Sequence, residues 1–145
     1  MPKTSSVHVI DIMKKGKTIS KDTSISEALK LLKHGGADFL SVIDDDHKLI
    51  GAITETNFIR LVKHEPSSPL GDPVWFDSVD KKDGEQTVEK IMTTNITTIT
   101  PNDTIETALK VMNSAAYKFL HVIDSERRLV GIIRIVDIFE NLLGV

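Results

Sequence analysis

Shifted by 80 residues, the chain aligns with itself without a gap, Thr18–Val62 on Thr98–Leu142. Identities fall on Thr18/Thr98, Ile19/Ile99, Ile25/Ile105, Ala28/Ala108 and Leu29/Leu109, and continue at Phe39/Phe119, Val42/Val122, Asp44/Asp124, Gly51/Gly131 and Ile53/Ile133. Most are apolar and evenly spread, the pattern of two units sharing one fold. With the register moved by one, Asp11-Ile12-Met13 also matches Lys90-Ile91-Met92. An internal repeat decides the architecture before any other feature is read. A unit of about 50 residues buries too little surface to be comfortable alone, so the two copies are expected to share a core.

Each copy has the same order of elements. A short segment ends in Ile-Met, and a short strand follows at Thr18-Ile19 or Thr97–Ile99. The apolar positions Ile25, Ala28, Leu29 and Leu32, repeated as Ile105, Ala108, Leu109 and Met112, lie at i, i+3, i+4 and i+7 on one helical face. Ser24 with Glu27 is a capping-box pattern at the start of that helix, and Gly35-Gly36 ends it; Ala115-Ala116 takes the glycines' place in the second copy. Two apolar runs then flank a polar turn, FLSVI–DDDHK–LIGAI and FLHVI–DSERR–LVGII, each a strand pair. A last helix starts near Thr54 or Arg134. The expectation is a mixed α/β (α+β) chain of two β-α-β-β-α repeats, 1–62 and 88–145, joined by a linker over 63–87. That linker holds Pro66, Pro69, Pro73 and the single tryptophan, Trp75, and loops of such length tend to be functional or disordered.

The charge balance narrows the function. Net charge is −3 with no basic stripe, so no attraction to nucleic acid or an anionic membrane surface is implied. Cysteine is absent, which excludes disulfides, thiolate zinc sites and thiol catalysis. No apolar run has the length of a membrane span and the first residues carry no signal-peptide core, so a cytoplasmic location is expected. No nucleophile motif or glycine-rich phosphate loop is present, the five histidines show no metal-ligand spacing, and no enzyme activity is expected. Asp44-Asp45-Asp46 reads as a hairpin turn, and KKDGEQ as a solvated mixed-charge loop.

The Ile-Met leaders, the S/T-I-x-x-A-L helix starts, the strands ending in V-I-D and the Gly-h-h-x-x-x-Asp/Asn turns, all written twice, resemble a pair of cystathionine β-synthase (CBS) domains, the regulatory Bateman module. The resemblance covers nearly the whole chain. One departure is Ser41 and His121 where the family often has proline. The resemblance implies two repeats packed sheet to sheet with pseudo-twofold symmetry, and two clefts for adenosine-containing ligands such as AMP, ADP, ATP or S-adenosylmethionine. It also implies an output to a partner protein. One cleft would take Thr54 and Asn57 with Thr97, Thr98, Tyr117 and Lys118. The other would take Arg134 and Asp137 with Lys17, Thr18, Ala37 and Asp38.

The chemistry of these residues suits that role. A helix start favours a phosphate through its unpaired N–H groups and dipole, and a carboxylate accepts from ribose hydroxyls. Tyr117 suits stacking on adenine, Lys118 suits a phosphate, and the Arg134 guanidinium can fork onto phosphate oxygens. Thr54 keeps the hydroxyl without the acid; Asp137 keeps the acid without the hydroxyl. The clefts are therefore expected to be unequal, with Asp137 marking the better nucleotide site. Against this stands a plainer reading of Thr54 as an N-cap and of Asn57 and Asp137 as first-turn polar residues, and of the chain as a ligand-free dimerisation or scaffold module. A homodimer is expected from the apolar residues of the last helices: Phe58, Ile59, Leu61 and Val62, then Ile138, Phe139, Leu142 and Leu143. Trp75 is expected to lie near a cleft.

Overall fold

The structure, a computed structural model, describes residues 3–66 and 75–145, with backbone only for 64–66 and 75–77. The expectation that Trp75 reports on a cleft lies outside the described side chains. The architecture is mixed α+β, with two three-stranded sheets in strand orders β1-β2-β3 and β6-β7-β8. In the first copy these are β1 (Thr18–Ser20), α2 (Ile25–His34), β2 (Phe39–Ile43) and β3 (Leu49–Thr54), preceded by α1 (Val9–Ile12). In the second they are β6 (Thr98–Ile99), α3 (Ile105–Ala115), β7 (Phe119–Ile123), β8 (Leu129–Arg134) and α4 (Ile135–Leu143).

The chain divides into two compact units, and they cut across the sequence copies. One comprises 1–16, 43–50 and 95–145; the other 17–42 and 51–94. The Ile-Met leader of the first copy is thus built into the unit of the second, and the leader of the second into the unit of the first. In the 95–145 unit, Val9 N donates to Asp103 O (2.9 Å), and Lys14 forms an antiparallel bridge with Ile132. In the other, Val88 N donates to Thr23 O (2.9 Å), and Thr93 bridges Ala52 in the same way.

Packing explains why the leader ends in methionine and the turn begins with glycine. A Cβ at Gly131 would stand 3.0 Å from Met13 Sδ and 3.2 Å from Lys14 O. A Cβ at Gly51 would stand 2.5 Å from Met92 Sδ. The missing side chain lets the leader lie directly on the strand. Val9 and Ile12 then join Ile99, Ile105, Ala108, Met112, Leu120, Val122, Ile133 and Ile138 in one core cluster.

Local signals act as their chemistry directs. Ser24 Oγ accepts from Glu27 N at 3.1 Å and Thr104 Oγ1 from Thr107 N at 3.2 Å, capping α2 and α3. Gly36 and Ala116 both adopt the left-handed conformation after these helices. In the aspartate-rich turns, Asp44 Oδ1 accepts from Asp46 N and Lys48 N, and Asp124 Oδ1 from Glu126 N and Arg128 N, each at 2.9 Å.

Three features differ from the sequence reading. The segment after β3 is a 3₁₀ helix, Glu55–Leu61, where its counterpart α4 is an α-helix. Within 63–87, β4 (Lys63–Pro66) pairs antiparallel with β5 (Trp75–Ser78), and Lys81–Glu85 forms a further 3₁₀ turn. KKDGEQ is not simply solvated. Asp83 is buried; its Oδ1 accepts from Lys90 Nζ (2.9 Å) and Gln86 Nε2 (3.1 Å), which offsets part of the desolvation of the carboxylate, while its Oδ2 is buried without a hydrogen-bond partner, as Asp137 Oδ2 is.

Candidate functional site

The two motif residues Asp137 and Asn57 sit at equivalent places, in the first turn of the helix that follows the last strand of each sheet. Both are buried because the exchanged leader covers them. Their chemistry then diverges. Asn57 Oδ1 accepts from Thr54 N (2.8 Å) and Thr54 Oγ1 (3.0 Å), while its Nδ2 donates to Ile91 O (2.7 Å) and Thr93 Oγ1 (3.0 Å). Two lone pairs and two N–H groups are all an amide possesses, so Asn57 is fully used in closing its own unit. Arg60, one turn on, adds bonds from Nη1 to Ile91 O (2.8 Å) and Met92 O (2.9 Å).

Asp137 is only half used. Its Oδ1 accepts from Lys14 Nζ at 3.1 Å, and its Oδ2 is buried with no hydrogen-bond partner. The carboxylate is 9% exposed and the ammonium 63%. A buried carboxylate oxygen without a donor carries a desolvation cost that a hydroxyl or N–H from elsewhere relieves. The leader residue that follows Ile-Met sets this difference. Lys14 supplies charge to an acid, and Thr93 supplies a hydroxyl to an amide. Sequence reasoning missed Lys14, Thr93 and Arg60, because each acts on a residue far along the chain; the matched leaders were the signal that pointed to the first two.

Of the other residues named from the sequence, the 95–145 unit holds Thr97, Thr98, Tyr117, Lys118 and Arg134 together with Asp137. Thr97 Oγ1 donates to Tyr117 Oη at 3.1 Å, so the structure brings these two together beside β6. Tyr117 is partly exposed, Lys118 and Arg134 are exposed, and Lys118 O accepts from Ile135 N at the start of α4. Thr98 pairs in register with His121, which is buried and packs edge-on to Phe119 with ring centroids 5.4 Å apart. Burial pulls the His121 pKa down to about 4, so its imidazole is neutral at physiological pH. Lys17, Thr18, Ala37 and Asp38 belong to the other unit, with Thr54 and Asn57. There Lys17 and Thr18 lead into β1 and are exposed, and Ala37 and Asp38 precede β2. Among the described residues, no helix is long and apolar enough to cross a membrane, and no group of three or more His, Cys, Asp or Glu is placed to hold a metal ion.

Known proteins share this arrangement. A CBS domain-containing protein of Dictyostelium discoideum is 31% identical over 128 residues, covering 88% of this chain and 85% of its own. The CBS domain pair of protein MJ0100, solved in complex with 5-methylthioadenosine and S-adenosyl-L-methionine, superposes with a TM-score of 0.70 at 26% identity, over 95% of this chain and 97% of that one. CBSX2, solved in complex with AMP, superposes with a TM-score of 0.76 at 21% identity, over 96% and 98%. Two segments, residues 9–64 and 88–144, each match the CBS domain, and the chain belongs to the CBS domain family as a tandem pair.

Proposed function

We propose that this chain is a regulatory binding protein for an adenosine-containing ligand, AMP, ADP or ATP, and that it acts on a partner protein and not as a catalyst. The observation that carries the reading is Asp137 Oδ2, a buried carboxylate oxygen with no donor at the motif position of α4. A ribose hydroxyl supplies the donor it lacks, as sugar hydroxyls do for the acidic residue of dinucleotide folds. Arg134, exposed at the last position of β8, is the cation on the same helix start for a phosphate. Asn57 has no spare capacity, so the first copy's motif makes the weaker contribution. The MJ0100 pair supports the adenosine part of the reading, since both molecules in its complex carry that group. The same pair makes S-adenosylmethionine the alternative ligand. A ligand that binds only the folded protein raises its stability by about 2.7 kcal/mol at a hundredfold excess over Kd. Thermal unfolding with AMP, ATP and S-adenosylmethionine tests the reading; no shift with any of them would rule it out.

A second reading, a homodimer or scaffold module, draws on exposed apolar side chains. Ile59 in the 3₁₀ helix is 66% exposed, and Phe139 and Leu143 on α4 are 43% and 69% exposed. Leu61 and Ile138 are buried in their own units and cannot contribute. Contiguous exposed apolar patches mark interfaces, and Phe139 and Leu143 lie one turn apart on α4. Both readings hold together in a ligand-binding homodimer working in the cytoplasm. Light scattering at micromolar concentration gives twice the chain mass if the dimer forms, and the chain mass if it does not.

A further inference from the structure

The two units treat the same piece of backbone in opposite ways. In one, the carbonyls of Ile91 and Met92, at the end of the leader, accept from the Arg60 guanidinium, and Asn57 adds a third N–H. The repeat offsets map these residues onto Ile12, Met13, Glu140 and Asp137 in the other unit. Glu140 and Asp137 are acceptors when ionised, so neither can do what Arg60 and Asn57 do. The corresponding region is a depression of about 360 Å³ lined by Asp11, Ile12, Lys14, Asp137, Glu140 and Asn141.

Its polar chemistry is unbalanced. Asp11, Asp137 and Glu140 line it with a single cation, Lys14; Asp11 Oδ2 accepts from His8 N at the start of α1, and Lys14 is committed to Asp137 Oδ1. Asp137 is more than nine-tenths buried, and its second oxygen has no donor. The space is at the small end of ligand sites, suited to a side chain or fragment. The repeat position that carries Arg60 in one unit carries Glu140 in the other, so negative charge lines the depression where the first copy has a guanidinium.

We propose that this depression binds a guanidinium brought from outside, from an arginine side chain of a partner protein or from a small guanidino compound. A guanidinium is favoured over an ammonium because its planar fork serves several spread acceptors at once, and because the chain uses arginine at the equivalent place. The site stands without nucleotide binding. It shares Asp137 with the nucleotide reading, so the two occupants compete for one carboxylate.

The test uses nucleotide-free protein, titrated by NMR with N-acetyl-arginine methylamide, with the lysine analogue of equal charge, and with methylguanidinium. The expected result is that the arginine amide shifts the resonances of residues 11–14 and 137–141 and binds at least tenfold more tightly than the lysine amide. Methylguanidinium binding as tightly as the arginine amide assigns the site to a small guanidino compound; weaker binding assigns it to a protein side chain. Glu140→Arg restores the internal occupant and should abolish binding. Glu140→Gln, which keeps size and shape, should weaken it about five- to tenfold. Equal affinity for arginine and lysine amides, no binding at millimolar concentration, or unchanged binding in folded Glu140→Gln would overturn the proposal.

Discussion

The Lys14–Asp137 pair and the Thr93–Asn57 pair are two solutions to one packing problem, and a double-mutant cycle measures whether they are interchangeable. Lys14→Thr alone leaves a carboxylate that is 9% exposed without its one donor. A hydrogen bond to a charged group contributes about 1.5–3 kcal/mol. The ammonium is 63% exposed, and solvent screening takes the expected loss to about 1–2 kcal/mol. For a chain of this size that lowers Tm by about 3–6 °C. Asp137→Asn alone keeps an acceptor oxygen for the Lys14 ammonium but removes the opposite charge, and should cost about 1 kcal/mol by the same hydrogen-bond scale. Together the two changes install the Thr93–Asn57 arrangement: the new amide can donate to Ile12 O and to the threonine hydroxyl, as Asn57 does to Ile91 O and Thr93 Oγ1 at 2.7 and 3.0 Å. The double variant should therefore recover to within about 0.5 kcal/mol of the parent, a coupling of about 1.5–2.5 kcal/mol between side chains in contact. Urea unfolding followed by circular dichroism, without nucleotide, gives all four corners of the cycle. Additive losses would refute the equivalence of the two pairs.

Acid should weaken the fold through His121. Its pKa is about 4 in the fold against the ordinary 6.5 of a solvated imidazole, so the unfolded chain binds the extra proton first and stability falls as pH drops from about 6.5 to 4. The full loss is about 3 kcal/mol, and urea midpoints across that window should fall less steeply in His121→Leu than in the parent. Gly131→Ala should destabilise by about 1–3 kcal/mol, because its Cβ meets the Lys14 carbonyl as well as Met13. Gly51→Ala should cost less, since the atoms its Cβ meets all belong to the flexible Met92 side chain. Thermal midpoints in that order check both.

Much of the fold was legible because the repeat wrote each signal twice. The i, i+3, i+4, i+7 stripe of Ile25–Leu32, the Ser24 cap and the strands around each aspartate turn are local, and local chemistry placed them. The exchange of leaders was not legible in the same way, since nothing near Met13 says that it packs on Gly131 and not on Gly51. It is a long-range contact, seen only once Met13 lies on Gly131 and Met92 on Gly51. The same limit hid the site's second half. Asp137 stood out by its motif, but its partner Lys14 reads in sequence as one of three lysines in a polar stretch. The 3₁₀ helix Glu55–Leu61 carries bonds from Asn57 and Arg60 to the distant leader, which no periodicity in that segment records. Asp83 was read as solvated because its neighbours are charged, and its burial follows from Gln86 and Lys90 bonding it.

Calorimetric titration of AMP and ATP into the parent, Asp137→Ala and Asn57→Ala tests the nucleotide reading most directly, with each variant first shown to be folded. The account predicts saturable binding to the parent, a loss of about tenfold or more in Asp137→Ala, and a smaller change in Asn57→Ala, whose side chain is already spent within its own unit. Arg134→Ala should weaken ATP more than adenosine. Parental affinity in folded Asp137→Ala would contradict the account and leave that carboxylate as a structural partner of Lys14 alone.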